Sequence, residues 1–249
     1  MSEALRRRVY RTYYSASYSM ANPTDDAGFQ RRVLALRDLL LPWLPPDREA
    51  RIADVGCGIG YAVAMLLQAG YPHVEGVDLS DEQVQVAVRR GLPVRQGDAF
   101  AYLAGRRETL DAILALDFVE HLSRDELMEF LDLVRDALRP GGRLIVKTPN
   151  ANAPTAARSL FRDLTHEQIF TEHSLHMALV AGGLRPLAIL GERVRPAGVL
   201  GVLRYALGVV TRTVWRLFLI GELGWEAVGI PLEFNLLAVA EKPVGEGGA

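Results

Sequence analysis

Between residues 51 and 148 the sequence repeats one rhythm, a short apolar run rich in Val, Ile and Leu followed by a stretch of helical periodicity. RIADV (51–55) precedes a helix over 60–69, HVEGVD (73–78) one over 81–90, and LPVRQ (92–96) a short one near 99–104. LDAILAL (110–116) leads into a helix ending near 138, and GRLIVKT (142–148) follows. Runs apolar at every position are strands covered on both faces, so the spacing predicts βαβ units, a parallel sheet and a doubly wound α/β fold. Crossovers in such a sheet are right-handed. With 249 residues the chain can be one large domain or a domain with a subdomain.

The helix at 123–138 has the clearest ends. Ser123 with Glu126 makes a capping box, and Leu127, Phe130, Leu131, Val134 and Leu138 form one stripe. Pro140-Gly141-Gly142 is expected to stop it. Further on, a helix over 171–182 and strands over 184–192 and 234–242 are predicted, with a frayed tail after them. Two segments break the rhythm. Residues 1–49 hold Tyr10, Tyr13, Tyr14, Tyr18 and a helix over 28–41, and are expected to form a helical lid or cap on a domain over 50–249. An apolar helical insertion lies at about 197–231, before the last strand.

Charge narrows the partners. The 28 Lys+Arg and 30 Asp+Glu leave a formal net charge of -2, which gives no long-range attraction to nucleic acid. The lone Cys57 cannot form an internal disulfide, and MSEALRRRVYRTYYSASYSM lacks the apolar core of an export signal. A cytoplasmic location is the expectation.

The stretch ADVGCGIGYAVAML (53–66) carries the first chemistry. Its glycines, Gly56, Gly58 and Gly60, are spaced G-x-G-x-G, and Tyr61 stands where a dinucleotide fingerprint requires its third glycine. No Gly-Lys-Ser/Thr follows, which excludes a P-loop. Asp54 sets a carboxylate beside the turn, where it repels pyrophosphate and favours an ammonium. Asp78, ending the second strand, is placed to accept from ribose hydroxyls, with Ser80 or Asp81 expected to cap the next helix and leave it free. Asp98, in GDAF, is placed to accept from an adenine amine. An adenosine with a cationic amino-acid tail is S-adenosylmethionine.

DVGCGIG, GVDLS, GDAF, LDFVEHL and LRPGGRLIVKTPN, in this order, resemble the motifs of class I S-adenosylmethionine-dependent methyltransferases over about residues 50–150. RDLTHEQIFTEHSLHMALVAGGL (162–184), with the Tyr-rich start, resembles a branch acting on small polar acceptors, found in polysaccharide, glycolipid and ubiquinone biosynthesis. The resemblance implies a Rossmann-like seven-stranded sheet of order 3-2-1-4-5-7-6 with the last strand antiparallel. It implies S-adenosylmethionine as cofactor, held by Asp54, Gly56, Cys57, Gly58, Gly60, Asp78, Leu79, Asp98, Ala99, Leu116 and Tyr14. Cys57 reads as a small filler rather than a nucleophile. The implied reaction is O-methylation of a small-molecule or saccharide/glycolipid acceptor. The alternatives are N- or C-methylation of a metabolite, or a catalytically silent binding protein with this fold.

LDFVEHL places Asp117, Glu120 and His121 at the carboxyl edge of the sheet, on one side of a helical turn by their spacing. Three roles stay open: a divalent metal site made by all three, His121 as general base, or Glu120 and His121 bracing the loop. DLTHEQIFT adds His166 as the leading candidate base, with Asp163 to orient it; the alternative has His166 fixing the loop or capping the next helix. His173 and His176 read as surface or packing residues. Tyr13, Tyr14 and Tyr18 form either a lid or a packed aromatic face, and Arg6, Arg7, Arg8 and Arg11 a solvated one unless the acceptor is anionic.

In the insertion, Arg204, Arg212 and Arg216 oppose membrane crossing, at about 2.5–3.5 kcal/mol each at a helix centre. They fall within a sector of about 120° on a helical wheel, opposite Leu203, Leu207, Val210, Val214 and Leu217. A peripheral membrane contact through 198–225, a dimer contact, a roof over the acceptor and an accessory helix pair at the sheet edge all fit. The oligomeric state is left open.

Overall fold

The structure is a computed structural model that describes residues 8–18, 25–193, 196 and 198–244. Arg6, Arg7 and the last five residues of the tail lie outside the described residues, as does the side chain of Tyr18. The order of elements is α1 (Asp26–Leu40), β1 (Ile52–Val55), α2 (Tyr61–Gln68), β2 (Val74–Asp78), α3 (Asp81–Arg89), β3 (Val94–Gln96), α4 (Ala99–Ala104) and β4 (Leu110–Leu116). After these come α5 (Arg124–Ala137), β5 (Leu138–Pro149), α6 (Ala156–Phe161), α7 (Glu172–Ala181), β6 (Arg185–Gly191), α8 (Gly198–Leu223) and β7 (Asn235–Glu241). The strands form one sheet of order 3-2-1-4-5-7-6, as the family pattern implies. β1 to β5 are parallel, and β7 runs antiparallel to both β5 and β6.

Two-residue periodicity divides the core. Ile52, Ala112, Leu114, Ile145, Leu237 and Val239 face one layer with Val33, Leu40, Met65 and Leu66 from α1 and α2. Ala53, Ile113, Ala115, Leu144, Val146 and Ala238 face the other, with Phe130, Leu131 and Leu179 from α5 and α7. Both faces of each central strand are therefore dry, which is why these strands read as unbroken apolar runs. α1 belongs to this covering layer through Phe29, Val33, Leu36 and Leu40, so within residues 1–49 it is the segment 8–18 that lies nearer the site.

The Ser123 capping box is present, and a second joins Thr171 to Ser174 at the start of α7. Phe170 is not helical; it bridges Asn150. One expectation is corrected at Pro140-Gly141-Gly142. α5 ends at Ala137 because Leu138 is already extended, and β5 runs on through the Pro-Gly-Gly. The pairing jumps from Leu110–Leu138 to Ala112–Arg143, so these residues make a bulge where proline's missing N–H costs no ladder bond. Gly141 and Gly142 instead exchange bonds with Lys242. The insertion is a single 26-residue helix followed by a short 3-10 turn, rather than a helix pair. Among the described residues, no helix is long and apolar enough to cross a membrane.

Candidate active site at the carboxyl edge of the sheet

The turn after β1 is built for glycine. Gly56, Gly58 and Gly60 have φ of +67°, +56° and +84°, a region costly for residues with a Cβ. A Cβ at Gly56 would lie 2.6 Å from Phe118, and one at Gly58 2.6 Å from Gln83 Oε1. The backbone is thereby left bare where a ligand approaches. Tyr61, the departure from the dinucleotide pattern, is buried against Phe29 with ring centroids 4.8 Å apart. Leu79 and Leu116 are half-buried at the ends of β2 and β4, and Ala99 is buried at the start of α4.

Asp54 is 2% exposed, and burial, with Asp78 adding repulsion, pushes its carboxyl up to about 8. A carboxyl so placed gains most from a cation brought to it. Asp78 is not left free: Oδ2 accepts from Gly58 N at 2.8 Å and Oδ1 from Ser80 N at 2.8 Å. Ser80 makes no side-chain cap, and its buried Oγ has no partner. Asp78 thus splints the glycine turn to the end of β2. Asp98 is exposed and caps α4, with Oδ1 accepting from Ala101 N at 2.9 Å. Burial and the two aspartates raise the Cys57 thiol well above its ordinary range, which fits a filler and not a nucleophile. Two buried carboxyl groups beside a bare backbone turn form a set of acceptors that an ammonium and a pair of hydroxyls can donate to.

Beyond this cradle, β4 ends in Asp117 at φ +53° and a 3-10 turn over Val119–His121. The triad expected from LDFVEHL does not assemble. Asp117 is held by the buried Lys147, whose ammonium burial alone would lower but Asp117 and Glu192 hold above its usual range. Glu120, His121 and His166 come together instead, with one ligand atom of each within 4.8 Å of the others. Glu120 is buried, accepts from Thr148 Oγ1 at 3.0 Å, and is pushed up to about 8 by burial and by Asp117. The two imidazole rings meet edge to face at 4.8 Å.

Their hydrogen bonds fix the tautomers. His166 Nδ1 lies 2.8 Å from the Ser159 carbonyl, an acceptor only, so Nδ1 carries the proton and Nε2 the lone pair. Thr165 Oγ1 donates to Asp163 at 2.6 Å and lies 2.8 Å from His121 Nδ1. Its one proton is spent on Asp163, so His121 Nδ1 donates to the hydroxyl, and the ring is bonded to the Thr165 backbone as well. Asp163 therefore orients His121 through Thr165, and Ser159 orients His166; the expected Asp163–His166 pairing is corrected. Burial pushes His121 down to about 4, with His166 beside it adding to the effect. Two imidazoles with fixed Nδ1 protons beside a carboxyl suit either proton abstraction or a divalent ion.

Residues 8–18 reach this cluster. Tyr13 Oη donates to Asp163 Oδ2 at 2.5 Å, and Tyr10 meets the His121 ring at 6.4 Å. Burial of Asp163 alone would raise its carboxyl, but the donors Thr165 and Tyr13 hold it below its usual range. A cleft of about 510 Å³ lies between residues 8–16 and the loop 162–164, walled by Arg8, Thr12, Tyr13, Arg162, Asp163 and Leu164, with Asp163 joining it to the cluster. Tyr14 packs against the core instead. Thr165 and Lys147 escaped the sequence reading, although a lone lysine in the apolar run LIVKT and a threonine between Asp163 and His166 were visible signals.

A family model described as a methyltransferase domain matches residues 27–189, most of the sheet and all of the cluster. The chain is similar to the ubiquinone biosynthesis O-methyltransferase of Xylella fastidiosa, 33% identical over 137 residues, which cover 51% of this chain and 54% of that one. It thus spans about half the length of the curated relatives it matches. Among solved structures it resembles an S-adenosylmethionine-dependent methyltransferase of Archaeoglobus fulgidus, with TM-score 0.64 and 21% identity over 86% of this chain and 94% of that one. It also resembles the Haloferax volcanii complex of the Trm112 methyltransferase activator with a methyltransferase, with TM-score 0.69 and 17% identity over 94% and 97%. A sheet order, a glycine turn flanked by buried acids and a matching domain model agree: the chain belongs to the class I S-adenosylmethionine-dependent methyltransferases.

Proposed function

We propose that the protein transfers the methyl group of S-adenosylmethionine to a hydroxyl of a small polar acceptor, saccharide-type compounds being the class to screen first. The observation that carries this reading is the His121–His166 pair, tautomerically fixed beside Glu120 at the carboxyl edge that also holds the glycine turn. The likeness to ubiquinone biosynthesis O-methyltransferases supports oxygen as the acceptor atom.

Asp54 would hold the methionine ammonium, Asp78 and the glycine turn the ribose and backbone, and Asp98 the adenine. The cofactor, when bound, supplies a methyl carbon already made electrophilic by its sulfonium. His166 takes the hydroxyl proton at Nε2, and the Ser159 carbonyl keeps Nδ1 protonated and stabilises the imidazolium formed. His121, held neutral by burial, does not compete for that proton and keeps a second positive charge away. Tyr13, bonded to Asp163, brings residues 8–18 beside the imidazole pair, and Arg8 and Arg162 in the neighbouring cleft wall would favour an acceptor rich in oxygen.

The test is His166→Ala assayed with labelled S-adenosylmethionine and fractionated hydroxyl acceptors. Cofactor affinity is expected to hold while turnover falls about 10²–10⁴-fold. Near-normal turnover would sink the deprotonation step and favour a nitrogen or carbon acceptor. Absence of S-adenosylmethionine binding by the wild-type chain in calorimetry would leave a silent binding protein.

The same cluster supports a second reading. Glu120, His121 and His166 form a ligand set for a divalent ion, with both Nδ1 protons held by oxygen partners. Two imidazoles and one carboxylate suit zinc or another first-row ion better than magnesium. Such an ion would hold the acceptor oxygen and lower its pKa. Activity that survives exhaustive chelation removes it.

A further inference from the structure

α8 keeps Arg212 and Arg216 towards the body and turns an apolar strip outward, with Arg204 and Glu222 exposed on its flank. The half-buried positions of the helix are Gly201, Gly208, Arg212, Trp215, Arg216, Leu219 and Ile220. Trp215 Nε1 donates to the Asn152 carbonyl at 3.1 Å, and Arg216 donates to the carbonyls of Ala227, Val228 and Ile230 at 2.6–2.8 Å. The arginine at 216 thus staples the helix to the turn that follows it. On the opposite side Leu200, Leu203, Leu207, Val210, Val214 and Leu217 are between 55% and 82% exposed.

Their spacing is 3-4-3-4-3, the repeat of a coiled-coil seam, sustained along nearly the whole helix. A helix that only covers its own sheet has no use for such a seam on its outer face. With the flanking Val199, 85% exposed, and Phe218, 55% exposed, the strip offers on the order of 800 Å² per copy, the share of one partner in a standard stable interface. Exposed apolar surface of this extent marks an interaction site.

We infer that this seam pairs with the same seam of a second copy, as an antiparallel two-helix contact across a two-fold axis. In such a contact the patch meets itself, so it must be self-complementary. Centred near residue 212, the antiparallel pairing sets Leu207 against Leu217 and Val210 against Val214, and lays Leu203 and Leu200 over Gly221 and Gly224. Arg204 and Glu222, five helical turns apart and so on one flank, come within a turn of each other across the axis. A seam flanked by opposite charges complements its own inverted copy. An anionic bilayer calls for a basic polar face, whereas here Arg212 and Arg216 lie on the half-buried side.

The test uses the full chain in analytical ultracentrifugation at micromolar concentration. The expected result is a species of twice the 27.4 kDa chain mass. Leu207→Glu with Val214→Glu is expected to give monomers that still bind S-adenosylmethionine, since both positions are exposed in the single chain. Arg204→Glu is expected to weaken association at least tenfold, and Arg204→Glu with Glu222→Arg to restore it; a parallel pair would show no such rescue, which overturns the antiparallel assignment. Val210→Cys with Val214→Cys is expected to give a covalent dimer on mild oxidation, Cys57 being buried. A wild-type monomer at tens of micromolar overturns the proposal, and flotation of that monomer with vesicles of anionic phospholipid would assign the face to a membrane surface instead.

Discussion

Replacing Asp54 by asparagine separates the demands of folding from those of the cofactor. The folded carboxyl is pushed up to about 8 against 3.8 in a model peptide, by burial first and by Asp78 second. Between those two values the folded chain binds more protons than the unfolded one, so stability falls as pH rises through the window, and the full cost is reached above about pH 8. Each pH unit well inside it is worth about 1.36 kcal/mol and the slope tapers near the upper end, so the wild type loses roughly 2 kcal/mol from Asp54 between pH 6 and 8, or about 4–8 °C in Tm for a chain of this size. Glu120, also pushed up to about 8, adds a slope of the same sign that the variant retains. The difference between the two chains therefore reports Asp54 together with its repulsion of Asp78 and Cys57. Asp54→Asn is expected to melt above the wild type at pH 8.5, with the gap closing towards pH 5, while S-adenosylmethionine affinity by calorimetry falls at least a hundredfold. Thermal scans across pH 5–9 check this. A difference in Tm that does not grow with pH, or an unchanged cofactor affinity, would refute the reasoning.

Tyr13→Phe removes one donor from Asp163 and is expected to raise the acceptor KM about 3–10-fold with cofactor affinity intact, as read by steady-state kinetics. Gly60→Ala must hold φ +84° and place a Cβ 2.6 Å from Leu92 Cδ1, costing about 1–3 kcal/mol and at least tenfold in cofactor affinity by titration. The Asp117–Lys147 pair should respond asymmetrically to denaturant. Asp117→Asn leaves the buried ammonium with only the weaker attraction of Glu192 and is expected to cost about 3 kcal/mol, whereas Lys147→Met leaves a half-exposed carboxylate to water and a Glu120 already pushed towards its neutral form, and is expected to cost less than about 1 kcal/mol. Equal losses would contradict that account.

The sheet was legible because burial on both faces leaves a strand no polar positions, and the Ser123 box was legible because a cap is a local signal. The bulge at Pro140-Gly141-Gly142 was not, since its partner is the distant Lys242. Site residues divide the same way. Asp54 and the glycines could be read because their chemistry lies within one turn. The pairing of His121 with His166 rather than Asp117 depends on Lys147 and Thr148 from β5 and on Thr165 from the loop beyond, contacts that no local spacing encodes. Asp78 was misjudged as free because its partner, the Gly58 amide, lies twenty residues away. The arginines of α8 formed a visible sector, but which way that sector faces is set by Asn152 and the turn after the helix.

The segment 8–18 is fastened at two carboxylates, one on a loop and one on a helix. Tyr13 is bonded to Asp163, and Ser15 is bonded through both its amide and its hydroxyl to Glu82 at the start of α3. Residues 8–18 thus tie the loop after α6 to the start of α3, so that a displacement of either is passed to the other through one short segment.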